Sequence, residues 1–563
     1  MVKGDRLTSF PSSSAPTAHR PPNHPAGRER EWTPQSLPSL SPVGLDDQFP
    51  DLPEWFGGFR DHQRDAICEV VDAYKRGADV VFLDGPTGSG KTLVGEAVRQ
   101  VIGGKAMYVC HSLGLQDQFV SDFPYARVLK GSTNYPTELM SYPEYTGGDC
   151  TPECQWCTGP ESCPYKIAKR AAQASDLAVL NTAYFLNTIN HTDNFAGRRL
   201  VILDEADTIE SLVMGFEEFR LSGRFLRKLG LTAPNKGVHR QTVGKFLVDQ
   251  VEPRVKKMVS VMRRELNAGS LDVDGFRTLQ QLEQLHKRAR VVAAKYKAGT
   301  WVRCYDHTGA FILKPISVAD VSPNRLWQHS RLWLLMSATL VSTQEIISSL
   351  GMSGLKVETV TMPMTFPVEH RPLYAVPIEK VTAKTKESAY PRIATAIEKV
   401  LDRHPNDRVL VHTVNYEFAS YLQRHVNTDR QKLTYQNAGE REPILEEFRR
   451  RMAAVLFAPS LDRGFDFRDD DARVVIVAKL PYPYLGDQQI SARMNTPDGQ
   501  YWYTIQTIRS LVQMTGRGVR SKEDWAHTYI LDAGFMDFLR RNRHLLPEWW
   551  LDALRTDVVE RTL

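Results

Sequence analysis

An apolar run, Val80-Val81-Phe82-Leu83, ends at the octapeptide Gly85-Pro86-Thr87-Gly88-Ser89-Gly90-Lys91-Thr92, and a helix-compatible stretch follows from Leu93 to Gln100. Strand, glycine-rich loop and helix in that order constrain this chain more than any other feature, because they commit it to helices layered on a parallel sheet. The octapeptide fits the pattern GxxxxGK(S/T). Its glycines, Gly85, Gly88 and Gly90, let backbone N–H groups turn toward a phosphate, and the following helix adds its positive N-terminal end. Lys91 is then placed to reach the outer phosphates, and the Thr92 hydroxyl to hold Mg²⁺. Glycines alone would mark only a tight turn; with strand, loop and helix in order they mark a nucleotide site.

A second apolar strand, Val201-Ile202-Leu203, ends in Asp204-Glu205-Ala206-Asp207. Alone, an acidic strand end is a weak signal. Paired with the phosphate loop it supplies what phosphoryl transfer needs, which is positioning and charge neutralisation: Asp204 for the Mg²⁺ shell and Glu205 to orient or deprotonate water. Three later segments go beyond what a simple nucleotide-binding fold requires: Leu334 to Thr339, Ser460 to Phe467, and Gln513 to Arg520. In the last, Arg517 and Arg520 lie three apart on one helical face, where guanidinium groups can stabilise a γ-phosphate held by another domain. Gln513 and Gly516 beside them separate this stretch from an ordinary basic surface turn.

The order and wording of these blocks, over about residues 55 to 540, resemble the XPD/DinG iron–sulfur family of superfamily 2 helicases. The resemblance assigns Arg60 and Gln63 to an adenine-side element, and Ser112, Leu115 and Gln118 to a nucleic-acid strand motif. It makes Asp204 and Glu205 the Mg²⁺ and water-activating pair and Ser337-Ala338-Thr339 a coupling motif. Gly464 and Asp466 fall in the fifth motif, and Gln513, Arg517 and Arg520 in the sixth. Leu480-Pro481-Tyr482-Pro483 matches a proline-rich strand exit. Three positions depart from the family: Asp207 and Thr182 stand where histidine is usual, and Asp462-Arg463 where an acidic residue usually adjoins glycine. The first two bear on coupling between domains rather than on hydrolysis.

Cys150, Cys154, Cys157 and Cys163 fall within fourteen residues between the phosphate loop and the acidic strand end. Such spacing suits a Cys₄ zinc site, and thiolates suit zinc and iron–sulfur clusters alike. The resemblance implies a 4Fe–4S cluster, because the family inserts one between these two motifs, often with Cys-Pro-Tyr at the last ligand, as in Cys163-Pro164-Tyr165. Cys68, Cys110 and Cys304 read as buried or incidental thiols.

The 563 residues, 42% hydrophobic and 24% charged, suffice for several domains. The net charge of +5 does not announce a nucleic-acid binder, but residues 211–300 hold eighteen Lys/Arg against eight Asp/Glu. That region is either a phosphate-contacting surface or a solvated helical face. Residues 1–50 carry nine prolines, so residues 1–53 read as a disordered Pro/Ser-rich tail. No apolar run approaches the roughly 20 residues needed to span a membrane, and no secretory signal is evident, which points to the cytoplasm.

The expected fold is α/β: two RecA-like parallel-sheet motor domains, with an iron–sulfur insertion and a helical arch insertion in the first. The expected divisions are the first motor domain at 54–125, 176–212 and 326–365, the cluster insertion at 126–175, the arch at 213–325, and the second motor domain at 366–563. The resemblance implies an ATP-dependent DNA helicase, a monomer moving 5′ to 3′ on single-stranded DNA and opening forked duplexes, with RNA–DNA hybrids as a further substrate class. Thr413 and Asn415, after a predicted strand, are expected to touch the DNA backbone. Two other classes stay open: a nuclease-type relative, for which no separate carboxylate constellation is visible, and a binding scaffold with a degenerate motor, which intact Lys91, Asp204, Glu205 and Arg517 oppose.

Overall fold

The computed structural model describes residues 33–49, 52, 56–136, 163–234, 240–296, 300–304, 306, 308–437, 439–459, 471–516, 519 and 523–556. The chain builds β1 (Val80–Asp84), β2 (Ala106–Cys110), β3 (Arg127–Leu129), β4 (Leu177–Asn181) and β5 (Leu200–Asp204) in succession. It then forms a smaller antiparallel sheet from β6 (Phe219–Leu221), β7 (Trp301–Cys304) and β8 (Phe311–Pro315), and returns with β9 (Leu332–Ser337) and β10 (Val357–Thr361). The first large sheet runs β10-β1-β9-β5-β2-β4-β3, parallel throughout. Its central strands are near-continuous apolar runs because helices cover both faces.

A second parallel sheet follows from β11 (Leu373–Glu379), β12 (Val409–His412), β13 (Lys432–Thr434), β14 (Val455–Ala458), β15 (Val474–Val477), β16 (His527–Asp532) and β17 (Leu554–Arg555), ordered β13-β14-β12-β15-β16-β11-β17. Two seven-stranded α/β units match the expectation of paired RecA-like domains. Register places the functional loops side by side. Asp84 at the end of β1 pairs with Ser337 at the end of β9, and Asp204 of β5 pairs with Met336 of the same strand.

Two expectations are corrected. Residues 33–49, assigned to the disordered tail, pack onto the first domain: Leu37, Leu45 and Phe49 are buried in its core. Asp46 fixes the segment by accepting from the Phe59 N–H at 3.1 Å and from Arg64 at 2.6 Å. Proline content hid three apolar anchors that suffice to order a short strap. Residues 213–325, expected to be a helical arch, do contain the long helices Glu252–Asn267 and Val273–Lys295, but they also carry β6, β7 and β8. Those strands are three to five residues long, and β6 lies about ninety residues from its partner β8, so no local periodicity announces them. Among the described residues no helix is long and apolar enough to cross a membrane.

Candidate nucleotide site and its link between domains

The phosphate loop is shaped by two left-handed glycines, Gly88 at φ 80° and Gly90 at φ 84°. A Cβ on Gly90 would lie 2.1 Å from the Gln63 amide nitrogen, so a side chain there would displace the Gln63 amide as well as strain the left-handed backbone. Gln63 ties the helix Asp61–Lys75 to the loop: its amide donates to the Ser89 carbonyl at 3.0 Å and its oxygen accepts from the Arg60 N–H at 2.9 Å. Arg60 donates to the Gly88 carbonyl at 3.3 Å. Lys91, at the start of the helix Lys91–Ile102, donates to the carbonyls of Gly85 and Pro86 at 2.7 and 3.1 Å. Arg60, Gln63, Gly85, Gly88, Gly90, Lys91 and Thr92 therefore converge on one loop.

Four carboxylates face it from the strand ends. Burial pushes Asp84 up to about 6, against the pull of Lys91. Burial also raises Asp204, opposed by Lys91 and by hydrogen bonds from Tyr108 and the Glu205 N–H. Two buried acids displaced toward their neutral forms mark a place short of positive charge, and an all-oxygen donor set that includes Thr92 suits a hard cation such as Mg²⁺. Glu205 itself sits at φ 50°, ψ 46°, a left-handed conformation rare for a residue with a side chain.

Neither Tyr108 nor Asp84 is singled out by motif reading. Tyr108 is buried on β2 and its hydroxyl donates to Asp204 at 2.8 Å. A phenol inside an otherwise apolar strand needs a buried acceptor, which is the only sequence signal it offers.

Asp207 is buried and accepts from the Ser337 hydroxyl at 2.6 Å. Ser337 in turn lies 3.3 Å from the Thr339 hydroxyl, which accepts from the Gln513 amide at 3.1 Å. This chain runs from the acidic strand end of the first domain to the helix Gly499–Thr515 of the second. An aspartate at position 207 thus serves as an acceptor for Ser337.

The same helix face continues the contact. Trp502, Gln506, Arg509 and Gln513, spaced four, three and four apart, line one side of it. Trp502 and Gln506 donate to Glu210 at 3.0 and 3.4 Å, and Arg509 pairs with buried Glu345 at 2.7 Å while donating to the Leu340 carbonyl at 3.1 Å. Burial, then the neighbouring Glu345, push Glu210 up to about 7. A cleft of about 600 Å³ opens beside this seam, bordered by Asp207, Glu210, Tyr482, Gln506 and Met514.

Cys150, Cys154, Cys157, Gly464, Asp466, Arg517 and Arg520 lie outside the described residues. Cys163 is buried and opens the helix Pro164–Ala174. Cys68, Cys110 and Cys304 are buried too, with Cys110 pushed far up by burial. Among the described residues no group of three or more His, Cys, Asp or Glu side chains is arranged for a metal.

Ser112 caps the helix Leu113–Asp122 through the Leu115 N–H, with Leu115 half-buried and Gln118 exposed. The expectation that Thr413 touches DNA is corrected. It is fully buried and its hydroxyl donates to the Ala458 carbonyl at 3.3 Å. Asn415 caps the next helix through the Phe418 N–H at 2.7 Å. Both hold the loop after β12 in place.

Comparison with known proteins supports this geometry. The family model described as helicase C-terminal domain matches residues 397–553, and the one described as type III restriction enzyme, res subunit, matches residues 57–215. The chain is 33% identical over 99 residues to the Fanconi anemia group J protein homolog of Gallus gallus (16% of this chain, 8% of that protein). It is 22% identical over 237 residues to the ATP-dependent DNA helicase chl-1 of Caenorhabditis elegans (36% of this chain, 28% of that protein). These matches thus span less than a third of either curated relative. A solved XPD helicase superposes with a TM-score of 0.61 at 17% identity, covering 87% of this chain and 99% of that one. The Xpd4 structure from S. tokodaii gives 0.56 at 14% identity, covering 88% of this chain and all of the other. The chain is thus similar to helicases over the matched segments and shares its fold with the solved XPD helicase.

Proposed function

We propose that the protein is an ATP-dependent DNA helicase of genome maintenance that moves 5′ to 3′ along single-stranded DNA. The observation that carries this reading is the hydrogen-bond chain Asp207–Ser337–Thr339–Gln513, since a nucleotide site wired to the surface of a second α/β domain suits a motor better than a simple nucleotide hydrolase. Lys91 and the loop N–H groups bind the nucleotide from the first domain. Arg517 and Arg520, just past Gln513, approach its outer phosphate from the second. Glu205 orients the attacking water and takes its proton, and Thr92 and Asp204 hold magnesium, which when bound neutralises phosphate charge. Closure of the cleft on ATP and reopening after hydrolysis step the two domains along the strand.

Cys150, Cys154, Cys157 and Cys163 are read as the ligands of a 4Fe–4S cluster in preference to zinc. Four thiols in a short segment fit either group, and the resemblance to the XPD/DinG family favours the cluster. Its presence gives a brown protein with iron and acid-labile sulfide near four each per chain; one zinc and no sulfide overturns it. The enzyme acts as a cytoplasmic monomer on forked duplexes, with RNA–DNA hybrids a further substrate. Strand displacement on duplexes with a 5′ or a 3′ overhang, with and without ATP, tests the main reading. Opening that needs ATP and a 5′ overhang is the expected result. ATP-independent strand cleavage indicates a nuclease, and binding without opening a scaffold; either overturns the proposal.

A further inference from the structure

Residues 211–300 hold eighteen Lys/Arg against eight Asp/Glu, and the fold sorts many of them by sign. Carboxylates turn to the inner seams. Glu252 is buried and pairs with His286 at 2.7 Å and Arg290 at 3.3 Å, Glu217 is buried against Arg325 and Lys295, and Glu283 holds Arg263 at 2.6 Å. The surplus of cations surfaces on the helix Glu252–Asn267. Its Val255 is buried, and Met258, Val259 and Met262 pack onto the same core. Helical spacing therefore turns Lys256, Lys257, Ser260 and Arg264 to the opposite side, and all four are exposed. Lys257 and Arg264 stand two turns apart in one row, roughly 10 Å along the axis, with Lys256 beside them.

Among the described residues none of these three cations has a carboxylate within ion-pair distance. Arg264 donates to the Ser260 carbonyl at 3.3 Å. Glu265 lies about a quarter-turn off the row. A helix face that is merely solvated commonly interleaves both signs; this one carries a single sign on a helix braced from behind. Its chemistry also selects the occupant. Single strands are gripped by stacking bases on aromatic rings, but Glu252–Asn267 carries no Phe, Tyr or Trp, and the only one on the adjoining helix Val273–Lys295, Phe276, is buried. A duplex keeps its bases inside and presents one phosphate charge per roughly 1.7 Å of its axis, which a row of cations can meet without reading sequence.

We propose that the face of Lys256, Lys257 and Arg264 is a docking surface for the phosphate backbone of double-stranded nucleic acid, holding the unopened duplex beside the motor. This rests on the helicase reading and adds a contact to it. Binding of a blunt duplex, a forked duplex and a single strand is measured by fluorescence anisotropy over a series of potassium chloride concentrations. The full-length wild type is compared with the triple variant Lys256→Gln, Lys257→Gln, Arg264→Gln. The variant should bind both duplexes more weakly whatever their sequence, and the slope of log affinity against log salt should flatten by roughly 2 to 3, about one for each phosphate contact removed. Single-strand affinity and strand-stimulated ATP hydrolysis should stay at the wild-type level, which also reports that the variant is folded.

Exchanging the cations instead, by Lys256→Arg, Lys257→Arg and Arg264→Lys, should keep the wild-type slope, because charge rather than shape makes the contact. Neutralising three exposed cations of the second domain, Lys384, Arg392 and Lys399, should leave it unchanged as well. Duplex curves that superimpose for wild type and the first triple variant overturn the inference and leave the helicase reading intact. An equal loss of single-strand affinity, or an equal shift in the second-domain control, overturns the duplex assignment too. A wild type that binds none of the three nucleic acids overturns both readings.

Discussion

The two seven-stranded sheets share parallel architecture, yet they treat polar groups at their strand ends in opposite ways. In the first, Asp84, Asp204, Glu205 and Asp207 crowd the carboxyl ends, and burial lifts Asp84 to about 6 and raises Asp204 as well. In the second, the corresponding groups are absorbed by the backbone. Thr413 donates to Ala458, and Asp532 accepts from the N–H groups of Val381, Leu480 and Gly534. Burial raises Asp532 too, but those three donors pin it as a brace for the strand exits. One fold thus serves twice: the first copy keeps a charge imbalance that a phosphate-bound cation can relieve, and the second spends its polar groups on rigidity. Among the described residues, the helix face from Trp502 to Gln513 links the second copy to the first, joined by bonds from Tyr501 to Ser342 and from Gln489 to the Ile316 carbonyl.

The sharpest way to break this asymmetry is at the first sheet. Lys91→Ala should reduce ATP hydrolysis and unwinding to background while single-strand binding stays near wild type, measured by phosphate release and fluorescence anisotropy. Glu205→Gln should bind ATP normally and slow its hydrolysis by about 100-fold or more. Retained turnover in either variant would dissolve the contrast between the two strand ends.

The helix face comes next in size. Arg509→Met leaves Glu345 buried without its guanidinium partner, a loss of about 3 kcal/mol. Urea denaturation should register it as a lower midpoint. Unwinding should fall more than basal hydrolysis, because Lys91 and Glu205 are untouched. Adding Glu345→Leu should restore most of the stability, and failure to do so would show that the pair is not what Arg509 contributes.

The smallest effect is a pH dependence. Glu210 sits near 7 in the docked arrangement against an ordinary 4.5, so docking favours its protonated form. The sign follows from linkage: this contribution is fully present below about 4.5, declines as pH rises, and is lost above about 7. Glu210→Gln keeps an acceptor for Trp502 and Gln506 but carries no titrating proton. Its variant should lose the part of the pH dependence of thermal stability that lies between those values, as scanning calorimetry at a series of pH values can read.

Legibility in the sequence followed distance along the chain. Gly85 to Thr92 and Asp204 to Asp207 are readable because phosphate chemistry forces particular residue types into one short window. Tyr108 and Asp204 lie 96 residues apart, and Arg509 and Leu340 169 apart, so no local pattern ties either pair, and only the sheet and domain packing bring them together. Helical periodicity revealed the long pair of helices between Glu252 and Lys295, whereas β6 to β8 are too short to carry a period. Thr413 misled for a related reason. A hydroxyl after a strand reads as a ligand-facing group until packing shows that it turns inward. The low-complexity look of residues 33–49 concealed Leu45 and Phe49, since sparse anchors leave composition almost unchanged.

That strap has a practical consequence for anyone trimming the protein to its recognisable core. Asp46 grips Phe59 and Arg64, on either side of Arg60 and Gln63, and the Phe49 ring packs edge-on against Phe59 at 5.3 Å. A version begun at residue 54 would retain every motif by which the chain is recognised. It would nonetheless release the first turn of the helix that holds Ser89, so a weakened nucleotide affinity in such a version would be a fault of truncation rather than a property of the enzyme.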